Sequence, residues 1–162
     1  MRRLVLVWLA SLFTLLCGCS VHPEDTSGPD GYRDTASPLQ AGEWIPDEVT
    51  TSGDRSDWRS FELEVPEAIQ VSLLVPTNDS KVTVGIYEVH GLRVAETHKP
   101  AGVGSNKTVF IQKNLAHGRY YIRVRAHEGG NIGYSLRLDI GGFDAPTASP
   151  TGGFDITDLP PE

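Results

Sequence analysis

The chain has 162 residues, with 14 basic and 21 acidic side chains, a formal charge of -7 and two cysteines. An acidic balance excludes non-specific nucleic-acid binding and electrostatic adhesion to anionic lipid, so nucleic acid is not an expected partner. Cys17 and Cys19 are too close in sequence to staple a core, and two cysteines cannot build a tetrahedral thiolate zinc site.

Arg2 and Arg3 open the chain, Leu4 to Leu16 carry no charge, and Cys17-Gly18-Cys19 follow. A basic start, an apolar run and a small residue at the end form the layout of a secretory signal over residues 1–18. As a helix the apolar run reaches ~20 Å, short of the ~30 Å hydrocarbon core, so it reads as a leader to be removed. The ending Leu16-Cys17-Gly18-Cys19 resembles the lipobox of bacterial membrane lipoproteins. That resemblance implies cleavage between Gly18 and Cys19, a diacylglycerol on the Cys19 sulfur and an N-acyl chain such as palmitate. Ser20 after the cysteine, with no aspartate there, resembles signals for the outer membrane of a Gram-negative cell envelope. The membrane would then be a partner through acyl chains, each buried methylene contributing ~0.8 kcal/mol.

Residues 19–41 are rich in Pro, Gly, Ser, Thr and Asp, with few apolar positions, which predicts a disordered tether. Such a chain spans ~25 Å on average. From there the pattern changes to period two. Phe61, Leu63 and Val65 alternate with acids, and Ile69, Val71, Leu73 and Val75 run up to a Pro-Thr-Asn-Asp turn. Val82, Val84 and Ile86 come next, then Leu92 and Val94, then Val109, Ile111 and Leu115. Tyr120, Ile122 and Val124 alternate with Arg119, Tyr121, Arg123, Arg125 and His127; Tyr134, Leu136, Leu138 and Ile140 close the series. Short strands with turn residues between them predict an all-β sandwich over residues 42–140, with Tyr120 and Tyr134 facing inward. Residues 141–162, which repeat Gly-Gly-Phe-Asp, read as a flexible C-terminal tail.

Several stretches together resemble one family. They are Gly53-Asp54-Arg55-Ser56-Asp57-Trp58-Arg59-Ser60-Phe61, the run Val82–Tyr87 before Gly91, Gly118-Arg119-Tyr120-Tyr121-Ile122-Arg123-Val124, and Gly133-Tyr134-Ser135-Leu136. They are similar to the bacterial pre-peptidase C-terminal domain, a jelly-roll β-sandwich found beside secreted proteases. The family's frequent aromatic two places before Phe61 is Arg59 here. Some relatives bind calcium through acids near this place, which implies Asp47, Glu48, Asp54 and Asp57 as metal candidates. The residues themselves leave a second reading open, in which Asp54 and Asp57 bond turn amides.

No H-E-x-x-H, G-x-S-x-G or P-loop occurs, so a non-catalytic role is expected. The outward set Arg119, Tyr121, Arg123 and Arg125, with Arg137 from the last strand, forms a candidate binding face for an envelope protein or glycan. If the last two strands form a hairpin, Tyr121 faces Arg137 and Arg119 faces Asp139; in a jelly roll they lie in opposite sheets. The expected function is a lipid-anchored recognition module without a resident cofactor, calcium excepted. Two other classes compete: an accessory or chaperone domain for an exported protease, and a calcium-dependent carbohydrate- or collagen-like binder.

Overall fold

The computed structural model describes residues 28–142. The leader, the lipobox with Gly18 and Cys19, residues 19–27 of the tether and the tail from Phe143 lie outside the described residues.

Alternating apolar residues produce strands wherever one side can be buried, and nine strands form among the described residues. They are β1 (Ser37–Pro38), β2 (Ile45–Thr50), β3 (Ser56–Leu63), β4 (Glu67–Val75), β5 (Lys81–Glu88), β6 (Arg93–Lys99), β7 (Lys107–Leu115), β8 (Gly118–Glu128) and β9 (Asn131–Ile140). A single 3-10 turn, Arg33–Thr35, precedes β1. One sheet has the order β1-β3-β8-β5-β6 and the other β2-β9-β4-β7. Every pairing is antiparallel except β1 with β3. The chain is an all-β sandwich, as its periodicity predicts.

The inner faces meet through Val71 and Leu73 of β4, Val84 and Ile86 of β5, Ile122 and Val124 of β8 and Leu136 and Leu138 of β9. Each such side chain stabilises the fold by ~1.5–3 kcal/mol when fully buried. Tyr120 and Tyr134 face inward as expected. The Tyr120 hydroxyl donates to the Ala116 carbonyl at 3.2 Å and the Tyr134 hydroxyl to Asp57 at 2.5 Å. A buried cation joins this core: the Lys99 ammonium, at the end of β6, donates to the carbonyls of Asn78, Ser80 and Pro100.

The structure decides between the two arrangements left open for the last strands and corrects one boundary. β8 and β9 are consecutive yet lie in different sheets, so no hairpin forms and the Tyr121–Arg137 and Arg119–Asp139 pairings are absent. The tether does not extend to residue 41. Leu39 is buried, its N–H donates to Ser60 at 2.8 Å, and β1 adds to the free edge of β3. One apolar anchor and an unpaired sheet edge outweigh a composition that otherwise favours disorder. Finally, β2 carries only Ile45 and Val49 as apolar residues and contains Pro46, so it shows no alternation. It forms because it lies at a sheet edge, where a proline is tolerated.

Candidate functional site

Period two also decides what the outer face of the five-stranded sheet carries. Phe61 and Leu63 point into the core, so Trp58 points out, opposite Arg123 on β8; on the other side of β8, Tyr87 of β5 pairs with Tyr121. These three aromatics form a small cluster of their own. The rings of Trp58 and Tyr87 are 5.1 Å apart and tilted by 56°.

Cations cover this cluster. The Arg123 guanidinium sits 5.3 Å from the Trp58 ring and 5.1 Å from the Tyr87 ring, and donates to the Tyr87 hydroxyl at 2.8 Å. Arg119 and Arg33 lie 5.5 Å and 5.8 Å from the Tyr121 ring. Each of the three aromatic residues is left only 7–8% exposed, so little aromatic face remains for a ligand to stack on. Arg33 comes from the 3-10 turn and reaches across the β5–β6 turn at Gly91. Gly91 has φ +84, and a Cβ there would lie 2.3 Å from the Arg33 Nη1. The left-handed backbone favours glycine, and a side chain there would push the Arg33 guanidinium aside. Gly85 similarly leaves room for the Tyr87 ring, which would lie 3.0 Å from an added Cβ. Arg33, Trp58, Tyr87, Gly91, Tyr121 and Arg123, with Asp34 and Val89, line an open cleft of ≈ 560 Å³, and Arg119 lies beside it against the Tyr121 ring.

Electrostatics set the cleft apart. Arg59, Arg93 and Arg137 each have a carboxylate partner. Among the described residues, Arg33, Arg119 and Arg123 have no such ion pair. Of the expected binding face, Arg119, Tyr121 and Arg123 therefore meet in one place. Arg125 shares their side of β8 but faces Ser56 and Thr83, away from the cleft lining. Arg137 belongs to the other sheet, where its Nη2 holds Asp139 at 2.7 Å. Arg33, Asp34, Trp58 and Tyr87 are members that the sequence pattern left out.

A second cluster gathers around the inward-pointing side of β3. Asp57 and Arg59 point inward from β3, on the side shared with Val124 and Ile122. Arg59 forms ion pairs there, with Asp30 at 3.0 Å and with Asp47. Asp30, Asp54 and Asp57 each place a carboxylate oxygen within 4.8 Å of the others. Burial, reinforced by Asp30, Asp47 and Asp54, pushes the Asp57 carboxyl up to about 7 even though the Tyr134 hydrogen bond opposes the shift. Asp54 is raised in the same direction, first by burial and then by Asp30, Asp47 and Glu48. Of the metal candidates, Asp54 and Asp57 come together with Asp30, which sequence reading did not select. Asp47 is taken by Arg59, and Glu48 is exposed on β2. The Asp54 Oδ1 is buried without a hydrogen-bond partner among the described residues, which suits a cation. The three carboxylates supply part of the six to eight oxygens that calcium takes.

One hydroxyl–imidazole contact is present, Thr83 Oγ1 to His127 Nε2 at 2.8 Å on the outer face. Among the described residues no carboxylate bonds to the other ring nitrogen, so it does not extend to a triad.

No family model matches the sequence, and no curated protein matches it. Solved structures do. The pre-peptidase C-terminal domain of a collagenase from Bacillus anthracis is 18% identical with a TM-score of 0.54, covering 64% of this chain and 94% of that one. A periplasmic inhibitor of g-type lysozyme from Aeromonas hydrophila is 14% identical with a TM-score of 0.44, over 65% and 95% of the two chains. A carbohydrate-binding module from a Cellvibrio mixtus lichenase is 18% identical with a TM-score of 0.38, over 62% and 88%. The first of these likenesses shows that the chain has the fold of a pre-peptidase C-terminal domain.

Proposed function

We propose that this chain is an exported, lipid-anchored and non-catalytic protein of the cell envelope, whose sandwich recognises a partner through the cleft of Arg33 and Arg123 with the adjoining Arg119. One observation carries the reading. On an acidic chain, three guanidinium groups that have no ion pair among the described residues gather over one aromatic cluster. Bringing like charges together is unfavourable unless an anion completes the arrangement. The lipid anchor rests on the lipobox at Cys19, and the outer membrane on the serine that follows it.

Co-purification from membranes tests the reading. The native chain should retain an envelope component that the double variant Arg119→Ala, Arg123→Ala loses, and its N-terminal peptide should carry acyl mass on Cys19. Equal recovery by both proteins would remove the binding face; an intact leader would remove the anchor.

A second reading has its own observation, the three clustered carboxylates. In it, calcium bound by Asp30, Asp54 and Asp57 pins residues 28–39 to the sandwich. The chemistry supplied is charge neutralisation and loop ordering rather than catalysis.

A further inference from the structure

Resting on the cleft as the binding face, we infer that its ligand is an acidic saccharide, a sugar unit bearing a carboxylate. A neutral sugar usually docks by laying its C–H face on an open aromatic ring. Here that surface is taken: Arg123 lies over Trp58 and Tyr87, and Arg33 and Arg119 lie over Tyr121. The groups presented to a ligand are guanidinium forks, which match a carboxylate in pairs. Stacking on the rings holds the forks in place, so less freedom is lost when they bind.

Two further features select a sugar over other anions. Exposed Asp34 lines the same cleft as Arg33 and Arg123. It repels a bare polyanion but accepts hydrogen bonds from hydroxyl groups, which a sugar acid carries beside its charge. The cleft also lies on the face of a sheet, over its central strands, where the backbone groups are already paired. An extended acidic peptide draws affinity from main-chain hydrogen bonds at a sheet edge, and this location offers none. A volume of ≈ 560 Å³ is of the size that holds a small ligand.

Calorimetric titration of the full chain decides the matter. The probes are the trisaccharides of galacturonate and of glucuronate, the methyl esters of both, and a hexaglutamate peptide. At least one acid trisaccharide should bind, with at least tenfold weakening on esterification and on Arg119→Ala, an exposed position where folding is not at stake. Arg119→Lys, which keeps the charge and loses the fork, should recover only part of the affinity. Asp34→Asn should weaken the acid saccharide about threefold. The inference is overturned if neither acid trisaccharide binds, if the esters bind as well as the acids, or if hexaglutamate binds as tightly. Should the trisaccharides fail while the double variant still loses its envelope component, the saccharide falls and the binding face stands. If both experiments fail, both fall.

Discussion

Asp57→Asn isolates the least ordinary group in the sandwich. Asp57 is 1% exposed, accepts from Tyr134, and faces Asp30, Asp47 and Asp54, with Arg59 as the cation of the cluster. Its carboxyl titrates at about 7 in the fold against 3.8 in the free chain. The folded state therefore holds this proton more tightly than the unfolded state does. Its stabilising contribution is complete below the unfolded value, declines as pH rises, and is gone above about 7. One pKa unit corresponds to ~1.4 kcal/mol, giving an upper figure of ~4 kcal/mol and ~2–4 kcal/mol once water at the mouth of the cluster screens it.

Asparagine keeps the shape and an acceptor for Tyr134 but carries no charge. Urea unfolding of both proteins, from pH 4.5 to 8.5 with chelator present, should show the variant gaining on the native chain as pH rises. By pH 8 it should be more stable by ~2–4 kcal/mol, with the difference growing between about pH 4 and 7. A variant that is less stable at pH 8, or a difference that does not change with pH, would refute the reasoning. Either result would mean that the ionised carboxylate is what the fold requires.

Calcium in place of chelator should raise the melting temperature more at pH 8 than at pH 5, because cation and proton compete for the same oxygens. Magnesium should not reproduce the effect, and Asp57→Asn should remove it. Lys99→Met should cost ~2–4 kcal/mol in urea unfolding, since it strips the carbonyls of Asn78, Ser80 and Pro100 of a charged donor while leaving the aliphatic stem. Ile122→Ala or Leu136→Ala, in the most tightly buried part of the core, should cost ~2–5 kcal/mol by the same assay. Arg59→Met should release residues 30–39, detected as new proteolytic cleavage near Arg33 in a protein that keeps its far-ultraviolet strand signal.

Strands whose inner residues alternate without interruption were legible in the sequence. β4, β5, β8 and β9 lie where Ile69–Val75, Val82–Ile86, Tyr120–Val124 and Tyr134–Leu138 place them. Legibility failed where burial is not periodic. β1 depends on one leucine meeting a free edge, and β2 on an edge location that excuses Pro46. Half of the binding face was visible because Arg119, Tyr121 and Arg123 share one strand. The rest was hidden because it is assembled across elements. Trp58 could have been found from its phase, since a strand that buries Phe61 and Leu63 must turn residue 58 outward. Tyr87 reads as the end of an apolar run, and Arg33 sits in a stretch whose composition signals disorder. Asp30 was missed for the same reason, and with it the third carboxylate of the acid cluster.

The two clusters are not independent, because one short segment belongs to both. The Asp30 carboxylate is held by Arg59 on the inward-pointing side of β3, and the Asp30 carbonyl accepts from the Trp58 N–H at 2.8 Å. Three residues later Arg33 leans over Tyr121, and Leu39 fastens the far end against β3. Trp58 itself lies between Asp57 and Arg59, so neighbouring residues of one strand point alternately into the acid cluster and out to the cleft. Charge balance on the inner side thus sets how firmly the segment carrying Arg33 is held on the outer side. An aromatic at position 59 would fill the corner but give Asp30 no cation. The ion pairs of Arg59 therefore tie residues 30–39 down, which in turn keeps the Arg33 guanidinium over the cleft.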